Sequence, residues 1–368
     1  MWFRRPRSVL SERHKEYRLI ILKTNETYLP LEQTTVGPFS ESTMKRRKFL
    51  RLAAVAPVAA AAINPLNLAQ GQIPPNRPPQ GGRPRGGFPM RDLGPVEYVP
   101  TGPGIHVRFL GTGAADWFGP AENGELRRHA SILADGKVLF DFTPSAADMV
   151  PEGANVEVVF FTHSHSDHYD PRATLELGVK RVYLGETWLE RAQRDFLRAS
   201  EQTGKPVPEI IPLKFGQSVE EHGIKVTPLP ANHASNVASE LTLIYLLEKD
   251  STRLLYATDT AGLTAIALGL AGVGQFSRER KFLTGIIMEA NMAPGYQPDQ
   301  RMFAHSSVDL VECTVKILTQ TRKYVPVEGQ KVYLTHLSKS EYGPQAEVDR
   351  IIPKPLKAAY DGLEVVFR

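Results

Sequence analysis

The sequence predicts a layered α/β sandwich. Strand-like apolar runs alternate with helix-like stretches through residues 104–368, and histidines and aspartates gather just past the ends of several strand-like runs. The alternation suits helices packed on sheets. The clustering suits a site carried on loops at one end of those sheets.

Taken in order, residues 105–110 alternate apolar and polar and open the first sheet. Gly111-Thr112-Gly113 then predicts a turn. Residues 137–142 form another strand. Residues 156–161 are β-branched and aromatic apart from Glu157, the composition of a buried strand. Residues 224–227 read as a strand, and residues 241–247 and 253–258 flank a hairpin signal at 248–252. A later strand covers 285–289. Residues 308–318 form an amphipathic helix carrying Cys313, the only cysteine, which reads as a core residue. A single cysteine excludes an intrachain disulfide and a multi-cysteine zinc knuckle. No internal repeat is legible.

The densest chemical signal is His163-Ser164-His165-Ser166-Asp167-His168, directly after the 156–161 strand. Three imidazoles and a carboxylate in six residues crowd together the nitrogen and oxygen donors that zinc and its first-row neighbours take. Further donors stand after other strand-like runs: His233, Asp259 and His336. Each alone reads as an ordinary structural residue. Together the seven suffice for two metals with positions left for water and substrate. His305 precedes Ser306 and Asp309, spaced like a variant capping box, which puts it just outside a helix N-terminus. There it is either a surface histidine beside a cap or a proton donor whose imidazolium the helix end disfavours. Glu289 reads either as a partner for His305 or as a plain surface acid. Arg127 and Arg128 read either as donors to a phosphate or as a solvated loop pair, with His129 beside them.

These residues resemble the metallo-β-lactamase-fold hydrolases, whose motif is HxHxDH, a distant His, a bridging Asp and a last His. The match is full and spans roughly residues 104–368. The resemblance implies a four-layer αββα sandwich and two divalent ions, zinc first, with manganese or iron as alternatives. It implies that His163, His165 and His233 hold one ion, that Asp167, His168 and His336 hold the other, and that Asp259 bridges them. Asp167 would also orient an attacking hydroxide. Ala304-His305-Ser306-Ser307-Val308 and the segment from Tyr256 to Thr260 resemble the phosphodiesterase branch, with its tRNA 3′-processing endonucleases and cyclic-phosphate diesterases. That similarity implies a small-molecule phosphodiester substrate, with His305 as general acid. The chain departs from the branch in lacking a Cys-rich knuckle and an obvious basic, glycine-rich arm. The alternatives are a lactonase or other carbonyl-ester hydrolase on the same donors, and a non-catalytic metal-stabilised binding protein.

The N-terminal part has another character. Residues 1–100 hold 16 Lys and Arg against 7 Asp and Glu, a net +9, so the remainder nets −5 and the formal +4 misdescribes the folded body. Charge therefore supports no nucleic-acid-binding surface. Arg46-Arg47-Lys48-Phe49-Leu50 precedes an apolar, alanine-rich run at 52–63. Positive flank, short apolar core and small residues are the grammar of an export signal. The pair resembles a twin-arginine signal, with Lys45 where Ser or Thr is commoner; a basic amphipathic tail is the alternative. The expectation is a signal over 44–69 that engages the twin-arginine machinery, with cleavage near Ala69 and a periplasmic or extracellular product. Residues 1–43 read as an over-extended gene start, with Met44 the initiator. The absence of a cysteine after the apolar run argues against a lipid anchor. Residues 70–103, rich in Pro, Gly, Gln and Arg, read as a flexible linker before the hydrolase domain at 104–368. The sequence is silent on oligomeric state.

Overall fold

The computed structural model describes residues 98–368 apart from 236, 238, 276 and 278–280. The expected signal, the segment upstream of it and most of the expected linker lie outside the described residues. The described residues fall within one compact unit, Gly82–Arg368.

Two seven-stranded mixed sheets pack face to face. In the first, β14 (Glu364–Phe367), β1 (Ile105–Gly111), β2 (Ser131–Ala134) and β3 (Val138–Phe140) pair antiparallel, and β3, β4 (Val158–Phe160), β5 (Arg181–Gly185) and β6 (Glu209–Leu213) pair parallel. In the second, β7 (Val219–Glu221), β8 (Ile224–Pro230), β9 (Leu243–Lys249) and β10 (Thr252–Ala257) pair antiparallel, and β10, β11 (Gly285–Glu289), β12 (Val332–Thr335) and β13 (Leu356–Ala358) pair parallel. Strands β1–β6 and β8–β13 therefore share one order and one sequence of directions. A repeat that the residues do not show is present in the topology.

Three apolar layers follow from this plan. Between the sheets lie Phe140, Phe160 and Tyr183 of the first and Tyr245, Tyr256 and Ile287 of the second. The Phe160 and Tyr183 rings stack at 4.5 Å, and Phe140 meets Tyr245 at 5.4 Å. The Tyr245 hydroxyl donates to the Phe161 carbonyl at 2.5 Å, which ties the second sheet to the strand end that precedes His163. Helices α1 (Pro171–Leu177) and α2 (Leu189–Thr203) cover the first sheet, with Ala192, Phe196 and Ala199 of α2 turned inward at helical spacing. Helices α3 (Ala265–Leu270), α4 (Val308–Gln320) and α5 (Gln345–Ile351) cover the second. The architecture is the expected αββα sandwich. Among the described residues no helix is long and apolar enough to cross a membrane.

Local readings shift in three places. The buried stripe of α4 is Val308, Val311, Val315 and Leu318, so Cys313, about 200° round from Val311, is exposed rather than in the core. The cap of α4 is Ser307, which accepts from Leu310 N, not Ser306. The 248–252 hairpin signal contracts to a two-residue Asp250-Ser251 turn, with Asp250 left-handed at φ 53°. Ser251 also holds the N-terminal approach, through Tyr98 Oη at 3.1 Å and Thr101 N at 2.7 Å.

Candidate metal centre

The site forms where the carboxyl ends of the parallel strands meet along one edge of the sandwich. Asp141 follows β3, His163 lies beyond β4, Asp259 follows β10, Glu289 ends β11 and His336 follows β12. Asp141, Asp259 and His336 take left-handed backbone, with φ of 54°, 46° and 54°. That conformation is uncommon for residues other than glycine and gathers at functional sites. Here it turns each side chain out of its strand toward the common edge.

A splice between the sheets sets His336. Leu337 N donates to Thr112 O at 2.9 Å and Ala114 N donates to Leu337 O at 3.1 Å. Gly113 permits this approach, since a Cβ there would lie 2.6 Å from the Trp117 ring and 2.9 Å from Arg127 Cβ. The 111–113 segment is thus a clasp between sheets as well as a bend.

The structure brings the seven predicted donors together in two groups. His163 Nε2 lies 2.9 Å from His165 Nδ1, which lies 3.3 Å from His233 Nε2. Asp167 Oδ2 lies 3.2 Å from His168 Nε2 and 3.3 Å from His336 Nε2. Asp259 reaches both groups: it clusters with His163 and His168, and its Oδ1 is 3.3 Å from His336 Nε2. Ligand atoms on a tetrahedral zinc with bonds of 2.0–2.1 Å stand about 3.3 Å apart, close to these separations.

The residues behind the donors decide which nitrogen faces the site. Thr162 Oγ1 donates to Asp141 at 2.9 Å, so it must accept from His163 Nδ1 at 3.0 Å. His168 Nδ1 donates to the same Asp141 carboxylate at 2.8 Å. His233 Nδ1 donates to Ala304 O at 2.9 Å. With Nδ1 tied back in each, the Nε2 atoms of His163, His168 and His233 face the site, and that of His168 can serve as a ligand once it gives up its proton. His168 Nε2 is buried and has no hydrogen-bond partner, although Asp259 Oδ2 is 2.6 Å away. Those observations fit a divalent ion, and the donor set of imidazole and carboxylate fits zinc, with no thiolate needed.

The two groups differ electrostatically. Burial, reinforced by neighbouring imidazoles, holds His163 well below the usual histidine range, and His165 is lowered in the same way. His168 and His336 go the other way. Burial opposes their protonation, but the surrounding carboxylates outweigh it, raising His168 well above its usual value and His336 to about 10. His163 and His165 are thus held neutral, and the second group calls for positive charge.

Beyond the donors, Ser164 N and Oγ each donate to buried Glu240 at 2.6 Å, and Arg191 Nη1 donates to Ser164 Oγ at 2.6 Å. This clamp holds the turn between His163 and His165. Glu289 is fully buried, not a surface acid, and its Oε2 lies 2.9 Å from His305 Nδ1. Burial of His305 opposes protonation, yet the Glu289 carboxylate outweighs it and raises the imidazole above its usual range. The depression expected from the helix end is overturned by the Glu289 carboxylate at 2.9 Å. Arg127 is buried and donates to Thr112 Oγ1 and Ala359 O, both at 2.9 Å, and Arg128 pairs with Asp148 and Asp361. Neither guanidinium is presented to a phosphate. His129 lies half-buried beside Thr143.

A cleft of about 370 Å³ opens over the donors, with His165, Asp259, Asn291, Arg301, His305 and His336 in its lining. Asp141, Thr162, Asn291 and Arg301 escaped sequence reasoning. Only Asp141 carried a usable signal, as an acid set between Phe140 and Phe142 directly after an apolar run.

The family model described as "Beta-lactamase superfamily domain" matches residues 137–336. No curated protein matches the sequence. Among solved structures the chain is similar to a diphosphatase from the PhnP family, at 20% identity and a TM-score of 0.50 over 72% of this chain and 97% of that one. It is similar to zinc-bound PqqB from Methylobacterium extorquens, at 15% identity and 0.50 over 71% and 99%. It is also similar to unliganded yeast PDE1, at 12% identity and 0.51 over 72% and 99%. At such identities these likenesses speak for the fold. With more than half of the chain inside the matched span and both sheets arranged as described, the protein belongs to the β-lactamase superfamily domain family and has its metal-binding sandwich fold.

Proposed function

We propose that this protein is a metal-dependent hydrolase that cleaves a phosphodiester, with two divalent ions, zinc foremost, and His305 as proton donor. His163, His165 and His233 would hold one ion, Asp167, His168 and His336 the other, and Asp259 would touch both. When bound, such ions supply a water that is deprotonated near neutral pH and positive charge facing the substrate oxygens. The observation that carries the choice of substrate is the His305–Glu289 pair, which presents His305 in the same cleft as Asp259. A diester with a poor alkoxide leaving group needs a proton most.

The chain's own residues divide the remaining work. Burial of Asp167 opposes its ionisation, but His168 and His336 outweigh it and hold the carboxyl far below the usual range. It stays ionised and orients the attacking water. Glu289 fixes His305 Nδ1, which leaves Nε2 to give its proton to the departing oxygen. A diphosphatase and yeast PDE1 are among the structures that share the fold.

The raised histidines give a pH signature. At pH 7 the metal-free second group holds protons that an ion must displace, so zinc binding should release protons, and affinity should rise with pH up to about 10. Calorimetry in buffers of different ionisation enthalpy measures the release. Asp141→Asn should weaken zinc about 10- to 100-fold. Binding without proton release, or fewer than about half an ion per chain after saturation, contradicts the assignment.

His305→Ala should keep its metal and lose about 100- to 10,000-fold in turnover of an alkyl phosphodiester. The loss should shrink for a nitrophenyl diester, whose leaving group needs little protonation. Equal losses on both substrates would make His305 a positioning residue. No loss on either would favour the lactonase reading.

The same reading places the mature protein outside the cytoplasm, supported by Arg46-Arg47 and the apolar run after them. Changing both arginines to lysine should hold the precursor in the cytoplasm, as fractionation would show; unimpaired export would remove the twin-arginine reading.

A further inference from the structure

Arg301 is the one Lys or Arg among the residues lining the cleft. It sits in a short 3-10 turn, Gln300–Phe303, and its carbonyl accepts from Ala304 N at 2.9 Å and His305 N at 2.8 Å. Its backbone is thereby fixed to that of His305. Two carboxylates fix the guanidinium plane. Nε donates to Asp299 Oδ2 at 2.9 Å, and Nη2 donates to Glu341 Oε1 at 2.6 Å and lies 2.8 Å from Asp299 Oδ2. These contacts occupy the N–H groups of Nε and Nη2. The two on Nη1 have no partner among the described residues.

The other Asp, Glu, Lys or Arg of the lining outside the donor set is already satisfied. Asp116, also in the cleft lining, accepts from Ser338 Oγ at 2.7 Å, Lys339 N at 2.9 Å and Ser340 N at 3.0 Å. It holds the 338–340 turn and needs no further partner. Apart from the donors and His305, the free hydrogen-bonding capacity of a charged group in the cleft lining is therefore that of Arg301 Nη1.

We propose that Arg301 is the specificity-determining residue of the cleft, binding an oxygen of a singly charged phosphodiester through Nη1 and disfavouring doubly charged phosphate monoesters. The inference rests on the phosphodiesterase reading and deepens it. The fork that usually grips phosphate with two nitrogens is closed here, because Nε and Nη2 are committed to carboxylates. A single nitrogen is left, which suits one anionic oxygen. Arg301, Asp299 and Glu341 together carry a net charge of −1. Against this net-anionic cluster each added negative charge on the ligand is unfavourable, and a dianion finds no second nitrogen on Arg301 to offset it. A neutral lactone gains little from a charged donor.

The test uses the metal-loaded protein at pH 8, where a phosphate monoester is dianionic. Calorimetry measures binding of diethyl phosphate and of ethyl phosphate, and turnover of bis(4-nitrophenyl) phosphate is followed separately. Arg301→Gln should weaken diethyl phosphate about 10- to 100-fold, and the larger share of the kinetic loss should fall in KM. Glu341→Gln keeps an acceptor for Nη2 but removes a charge, so it should strengthen ethyl phosphate about threefold to tenfold relative to diethyl phosphate. If Arg301→Gln binds diethyl phosphate as the unaltered protein does, the inference is wrong while the phosphodiesterase reading stands. If the unaltered protein hydrolyses a neutral lactone but neither binds diethyl phosphate nor cleaves the nitrophenyl diester, both fall. Should Arg301→Gln fail to fold, Glu341→Gln decides alone, and an unchanged preference between the two ligands overturns the proposal.

Discussion

Uncompensated negative charge at one edge of the sandwich governs the rest of the structure. Asp141, Asp167, Asp259 and Glu289 are all buried there. Their partners are imidazoles, hydroxyls and backbone amides, and no Lys or Arg pairs with any of them among the described residues. An unpaired buried carboxylate costs several kcal/mol. Four in one place are tolerable only if the fold supplies protons or cations. The raised histidines His168 and His336 are the protein's own response, and the proposed pair of divalent ions would be a fuller one. The left-handed strand ends, the Gly113 clasp and the Glu240 clamp are the means by which this charge is held in place.

The repeated topology explains how one edge collects so many donors. Strands β3 and β10 occupy the same place in their two halves, and each ends in an aspartate with positive φ, Asp141 and Asp259. The two have different work. Asp259 faces the donors of both groups directly. Asp141 stands behind them and with one carboxylate orients His168 directly and His163 through Thr162. Both parallel halves point their carboxyl ends to the same edge, where open α/β sheets generally carry their sites.

What could be read from the residues was what lies close along the chain. His163, His165, Asp167 and His168 share one loop, so their chemistry shows as a motif, and the buried strand before them shows by composition. The strand at 285–289 and the helix start at Val308 were legible for the same local reasons. Glu289 looked like an ordinary acid because its burial comes from the packing of β11 between β10 and β12, which no window of sequence reveals. Arg127 looked available because the groups that consume it, Thr112, Ala359 and Gln345, are distant in sequence. Asp141 and Arg301 acquire meaning only from neighbours that folding brings to them. The repeat in topology left no trace in residue identity because sheet order depends on apolar pattern, which many sequences satisfy.

On the proposed reading, the buried carboxylates and imidazoles of this edge hold two metal ions. Anomalous diffraction at the zinc edge, from crystals of the zinc-saturated protein, tests it most directly. The account predicts two peaks about 3.5–4 Å apart. One should lie among His163 Nε2, His165 Nδ1 and His233 Nε2, and the other among Asp167, His168 Nε2 and His336 Nε2, with Asp259 touching both. An empty edge, with His168 and His336 in the same positions and hydrogen-bonded only to the carboxylates, would contradict it.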